Sequence, residues 1–163
     1  MRLERTTAET IIETESEAET EAVGRALATV LGPDCVIGLI GPLGAGKTRF
    51  VRAIAEAVGV DPREIGSPTF VLIHEYEGSL TIYHFDAYRL KTADDFDDLG
   101  AADYWSAGGV CLVEWADRVR DRLPGDTWWV NITPTGPRSR QMRFSGRPEW
   151  ETRLEAELSA QNS

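Results

Sequence analysis

A chain of 163 residues, 42% of them hydrophobic, has the size of one compact domain, and no window is apolar for long enough to span a bilayer. Its formal net charge of −10 repels a polyanion such as RNA, so direct, tight nucleic-acid binding is a poor fit, while an acidic surface suits a basic protein partner or plain solubility. Cys35 and Cys111 are too few for a disulfide framework and lack metal-ligand neighbours; with an N-terminus of Glu, Thr and Arg and no apolar signal region, a single domain over residues 1–163 in the cytoplasm is expected.

Thr10–Thr14, with Ile11 and Ile12, predicts a short first strand. Ser16-Glu17-Ala18-Glu19 then has the form of a capping box, and Val23, Leu27, Val30 and Leu31 recur at helical spacing. A helix therefore starts after Ser16 and ends near Gly32-Pro33.

The apolar run Val36-Ile37-Gly38-Leu39-Ile40 reads as a buried strand, and Phe50, Val51, Ile54, Ala55 and Val58 as one face of a helix. Between them stands Gly41-Pro42-Leu43-Gly44-Ala45-Gly46-Lys47-Thr48, which fits the phosphate-binding pattern of Gly, four free positions, Gly, Lys and Ser/Thr. The residue types follow from electrostatics at close range. Phosphate oxygens must approach a row of backbone N–H groups at a helix N-terminus, and the three glycines leave that backbone bare. Lys47 is placed to reach the β- and γ-phosphates of a nucleoside triphosphate, and the Thr48 hydroxyl to ligate Mg²⁺. The chain carries fifteen Arg but only two Lys, Lys47 and Lys91, so Lys at this position is not interchangeable positive charge: a compact ammonium enters the loop where a guanidinium fork does not.

Gly59 stops the helix and Asp61-Pro62 makes a turn. Two β-rich runs, 71–76 and 80–86, flank Glu77-Gly78-Ser79 and predict an antiparallel hairpin. A hairpin directly after the phosphate-loop helix makes the sheet mixed, and the expected architecture is an α/β phosphate-loop (P-loop) NTPase-like fold of three α/β/α layers. Strand periodicity puts His84, Asp86 and Tyr88 on one side with Phe85 opposite, at a strand end where open α/β sheets bind ligands.

The acidic segment with Asp94, Asp95, Asp97, Asp98 and Asp103 suits a short exposed helix carrying Phe96, Leu99, Tyr104 and Trp105 inward. Gly109-Val110-Cys111-Leu112-Val113-Glu114-Trp115 is an apolar strand ending in a carboxylate, as in the second nucleotide-site element of phosphate-loop proteins. Asp86 and Glu114 thus compete for the Mg²⁺ side. The wholly apolar run before Glu114 favours it, with Asp86 on a water, and both can contribute at different distances. Trp115 can pack beside a nucleotide or in the core. The rest predicts a short helix from Arg118 to Leu123, a strand over 128–133, a Pro- and Gly-containing loop, an alternating strand over 141–144, and a last helix from Pro148 with Trp150, Leu154 and Leu158 inward. Arg138 or Arg140, in that late loop, can reach a phosphate.

Taken together, the phosphate loop, Ser67-Pro68-Thr69-Phe70, His84-Phe85-Asp86-Ala87-Tyr88-Arg89, Leu99-Gly100 with Asp103-Tyr104, and Val113-Glu114-Trp115-Ala116-Asp117-Arg118 resemble the bacterial TsaE (YjeE) family, in order from about Ile11 to Phe144. Two positions depart from the family pattern, Pro42 for a usual acidic residue and Arg49 for a usual Thr or Ser. The resemblance implies a partner-dependent ATPase needed to make threonylcarbamoyladenosine in tRNA, slow alone, with ATP and Mg²⁺ as cofactors. It implies nucleotide contacts along the loop, from Gly41, Pro42, Leu43, Gly44, Ala45 and Gly46 to Lys47, Thr48 and Arg49. Glu17, Trp115, Asp117 and Arg138 join them by the same resemblance. It also implies Mg²⁺ between Thr48 and Glu114, a switch segment containing Thr69, and Asp86 in support of hydrolysis beside Lys47 and Glu114. The implied partners are TsaD and TsaB, with tRNA met only through them and no membrane. Two other function classes fit the same loop: a small-molecule or nucleoside kinase using Asp86 on an acceptor hydroxyl, and a nucleotide-sensing adaptor that does not hydrolyse ATP.

Overall fold

The computed structural model describes residues 1–65 and 72–163. The expected Ser67 to Phe70 switch and the first residue of the expected hairpin, Val71, lie outside the described residues. Eight strands form one mixed sheet in the order β1-β2-β8-β7-β3-β6-β5-β4. They are β1 (Arg2–Arg5), β2 (Thr10–Thr14), β3 (Cys35–Ile40), β4 (Ile73–Tyr76), β5 (Ile82–Asp86), β6 (Val110–Glu114), β7 (Trp128–Pro134) and β8 (Arg140–Ser145). The helices are α1 (Glu17–Val30), α2 (Lys47–Ala57), α3 (Ala93–Asp98) and α4 (Pro148–Gln161), with 3₁₀ segments at Ala101–Tyr104 and Ala116–Arg122.

Strand β3 lies between β6 and β7 and runs parallel to both; β5 runs parallel to β6, and β4 closes that edge as the antiparallel partner of β5. The hairpin and the mixed sheet are as the residue pattern predicts. The first strand is not: β1, exposed at every residue, precedes Thr10–Thr14 and pairs with it through Leu3↔Ile12. Its sequence Arg-Leu-Glu-Arg, exposed throughout, has no buried face to betray it, so only pairing reveals it.

Sheet parity divides the interior into two cores. Ile37 and Leu39 of β3, Ile82 of β5 and Val110 and Leu112 of β6 meet Val23, Leu27, Phe50, Val51 and Ile54 of α1 and α2, together with Leu154 and Leu158 of α4. The intervening Val36, Tyr83, Phe85, Cys111 and Val113 meet Phe96, Ala101, Ala116 and Val119 on the other face. Each large side chain so buried contributes roughly 1.5–3 kcal/mol. Among the described residues, one face is thus covered by three full helices and the other by a single short helix and two 3₁₀ turns, giving three layers of unequal thickness.

Helix starts follow the sequence closely. The Ser16 hydroxyl accepts from the Glu19 amide at 3.2 Å, capping α1, while the Glu19 carboxylate accepts from the Glu15 amide at 2.8 Å and not from the cap residue itself. The acidic segment divides into α3 and a 3₁₀ turn at Gly100, with Phe96 buried as expected and Thr92 and Asp95 forming the capping box. The short helix expected from Arg118 to Leu123 is a kinked 3₁₀ segment beginning at Ala116, broken at Val119. Both cysteines are buried, and desolvation pushes each thiol up to about 12.

Candidate functional site

Strands β3, β5 and β6 are parallel, so their carboxyl ends reach the same edge of the sheet, and the loop after β3 turns there into α2. Gly41 and Gly46 make that turn possible. A Cβ on Gly41 would lie 2.5 Å from the Ile132 carbonyl oxygen, and Gly46, the residue before the helix, has φ +98°, a conformation open to glycine at little cost. The first helical residues are Lys47 and Thr48.

Lys47 is 5% exposed. Its ammonium donates to the Gly41 carbonyl and, at 3.0 Å, to the Pro42 carbonyl, and stands 3.7 Å from the centre of the Trp115 ring. Burial pushes its pKa down, against the pull of Glu114, Asp117 and Asp86, which favour the charged form. Trp115 is held over it by a backbone turn at φ 59° and ψ 38°, a left-handed conformation that a bulky residue adopts at a cost of order 1–2 kcal/mol. Its ring also packs on Tyr88, 4.8 Å away between centres.

Glu114, 6% exposed at the end of β6, joins the loop to the strands. Its Oε1 accepts from the Thr48 hydroxyl at 3.0 Å, and its Oε2 lies 2.5 Å from His84 Nε2. Asp86 is the register partner of Glu114 on β5, so both carboxylates fall on the α2 side of the sheet. The Asp86 Oδ1 accepts from the Tyr88 amide at 2.9 Å. That turn takes Tyr88 out of the strand, where the sequence periodicity had placed it, and leaves it 44% exposed.

A cleft of about 310 Å³ opens over the loop, lined by Glu17, Leu43, Gly44, Ala45, Gly46, Lys47, Thr48, Arg49, Glu114, Trp115 and Arg140. Among residues predicted from sequence, Glu17 enters it through its ion pair with Arg49, 3.1 Å long. Gly41 and Pro42 sit behind it as carbonyl acceptors for Lys47, and Asp117 acts on Lys47 through its charge. Arg138 does not line the cleft. Arg140 does: its guanidinium donates to the carbonyls of Ala45 at 2.7 Å, Ser139 at 2.8 Å, Gly136 at 3.2 Å and Gly44 at 3.4 Å. With those loop carbonyls engaged from outside, the peptide units at Gly44 and Ala45 are held in one orientation. Thr69 lies outside the described residues.

Among the described residues no three His, Cys, Asp or Glu side chains gather as a metal site. A hydroxyl and a carboxylate 3.0 Å apart at the mouth of the glycine-rich loop nevertheless fit Mg²⁺, which retains waters and takes few protein ligands when phosphates supply the rest. Bare amides, a buried ammonium and this oxygen pair converge on one cleft and can hold a polyphosphate with its counterion.

A family model described as "Threonylcarbamoyl adenosine biosynthesis protein TsaE" matches residues 14–142. The tRNA threonylcarbamoyladenosine biosynthesis protein TsaE of Bacillus subtilis (strain 168) is 41% identical over 128 residues, 78% of this chain and 79% of that protein. Its counterpart from Treponema pallidum (strain Nichols) is 41% identical over 117 residues, 72% of this chain and 86% of that one. The crystal structure of Bacillus subtilis YdiB matches with a TM-score of 0.76 and 33% identity, covering 98% of this chain and all of the other.

Proposed function

The chain belongs to the TsaE family of threonylcarbamoyladenosine biosynthesis proteins, and on that premise we propose that it binds and hydrolyses ATP, with Mg²⁺, to drive or reset the assembly that modifies tRNA. The observation that carries this reading is the junction of loop and strand: the Thr48 hydroxyl at the start of α2 lies 3.0 Å from the Glu114 carboxylate, beside the buried Lys47.

Backbone amides from Gly44 to Thr48 bind the β- and γ-phosphates, aided by the positive end of α2. Lys47, already desolvated, exchanges the Gly41 and Pro42 carbonyls for phosphate oxygens. Thr48 and Glu114 would hold Mg²⁺, which would supply positive charge to the phosphates. Asp86, beside Glu114 in register, orients the attacking water; a switch segment containing Thr69 is implied by the family resemblance alone. Trp115 excludes water from the Lys47 side of the cleft. Fixed donors aimed at developing charge account for most of the rate, and no covalent intermediate is needed.

An acidic chain is poorly built to grip tRNA directly, so the substrate RNA belongs to partners, TsaD and TsaB by family resemblance, and slow turnover alone should quicken in their company. The test is tRNA modification reconstituted with and without the chain, alongside phosphate release. Multiple turnovers that require the wild type and are lost with Glu114→Gln support the reading. Labelled phosphate recovered on a metabolite, or modification sustained by a variant that binds ATP without hydrolysing it, would sink it.

A further inference from the structure

Glu114 has two carboxylate oxygens, and the structure gives each a different partner. Oε1 faces Thr48, whereas Oε2 meets His84 Nε2 at 2.5 Å. His84 lies opposite Leu112 in the β5–β6 register, two positions short of Glu114, so its ring leans along the strands to make this contact. Both side chains are nearly closed to water, at 7% and 6% exposure. We propose that His84 is a positioning residue for this site: its Nε2–H pins one oxygen of Glu114, so that the other is presented to Thr48 and to a cation bound beside it.

The chemistry of the three groups sets the direction of the hydrogen bonds. A carboxylate accepts, so Nε2 is the donor to Glu114, and Nδ1 faces the Tyr76 hydroxyl, 3.5 Å away. Burial first, and the Glu114 charge second, push the Tyr76 phenol up, which keeps it in the protonated, donating form. A line of polar groups thus runs from Tyr76 on β4 through His84 on β5 and Glu114 on β6 to Thr48 on α2. The terminal torsion of a glutamate is broad, and a carboxylate held through one oxygen can turn. With Oε2 anchored, rotation would break a short buried hydrogen bond, and Oε1 stays where the hydroxyl and a cation need it. Groups that orient a ligating carboxylate typically change metal affinity or activity about 10–100-fold when removed.

The inference deepens the Mg²⁺-nucleotide reading and rests on it for the identity of the cation. The test uses the full chain, with ATP affinity measured by calorimetry in EDTA and through a Mg²⁺ titration for the wild type, His84→Phe and His84→Gln. All three should bind ATP equally in EDTA, which also checks that they fold. In His84→Phe the Mg²⁺ concentration that half-saturates the gain in affinity should rise about 10–100-fold, with the KM for ATP kept only at saturating Mg²⁺. His84→Gln, which restores an N–H donor, should recover to within about threefold of the wild type. An unchanged Mg²⁺ midpoint in His84→Phe overturns the positioning role, and so does a His84→Gln protein as impaired as His84→Phe, since packing alone would then explain both. Lys47→Ala separates the two ideas: if it binds ATP in EDTA as the wild type does, the nucleotide reading fails, while the His84 comparison is still decided by its own midpoint.

Discussion

The two halves of the sheet are built to different rules. In the parallel half, β3, β5 and β6 are buried at nearly every residue, whereas in the antiparallel half β1 is open throughout and β2 alternates. Parallel strands need helical crossovers, which cover both faces, and their carboxyl ends arrive together at one edge. Antiparallel strands alternate direction and deliver no such convergence, so β2 and β8 serve chiefly to extend the core beneath α1 and α4. The proposed chemistry therefore concentrates around Lys47, Thr48, Asp86 and Glu114, and the other half contributes stability, with one exception. Arg140, at the start of β8, crosses the boundary to hold the loop carbonyls.

The sharpest way to break this division is a large cavity on the supporting side. Phe144 on β8 is fully buried, and Phe144→Ala should cost about 3–5 kcal/mol, lowering Tm on the order of 10 °C. At a temperature where the variant is still folded, its ATP turnover should match the wild type; a calorimetric scan paired with a phosphate-release assay decides the point. Lys47→Ala should do the reverse, losing about 100- to 1,000-fold in kcat/KM for ATP while Tm stays within a few degrees. A variant that kept full hydrolysis would remove the parallel half's claim to the chemistry.

Arg140→Ala sharpens the comparison at its boundary. Loss of its bonds to Ala45 and Gly44 should raise the KM for ATP about tenfold, the worth of one charge-assisted hydrogen bond, with little change in Tm. Binding that is unaffected, measured by titration calorimetry, would confine β8 to support. The smallest effect belongs to Glu151, nearly buried on α4, whose carboxyl burial holds above the ordinary range. Folding then favours its protonated form, so stability from this group is full below the unfolded value and is lost as pH rises through the folded one. Glu151→Gln should raise Tm at neutral pH by roughly 1–2 °C and flatten that part of the pH profile, without touching turnover.

The phosphate loop, its flanking strand and helix, the hairpin and the carboxylate closing β6 were all legible in the residue pattern, because each is a local consequence of spacing: bare backbone, a 3.6-residue face, an apolar run. Three features were not. Strand β1 has no buried face and exists by virtue of its pairing with β2. Tyr88 leaves the strand periodicity because the Asp86 side chain captures its amide and turns the chain. The choice between Arg138 and Arg140 depends on which side of a loop meets Gly44 and Ala45, more than ninety residues earlier, as the 95- and 96-residue separations of those bonds record.

By itself, then, the order of residues determined that a helix would begin at Lys47 with stripped backbone before it, since short-range sterics and hydrogen bonding decide such a start without help from afar. The residue pattern favoured Glu114 for the place beside Thr48 but left Asp86 open, and the folded sheet decided between them. Strand β6 lies beside β3 and β5 one place further out, so Glu114 reaches the hydroxyl and Asp86 stands behind it. No local pattern encodes that neighbour order, because it follows from how the crossovers pack both faces of the sheet at once.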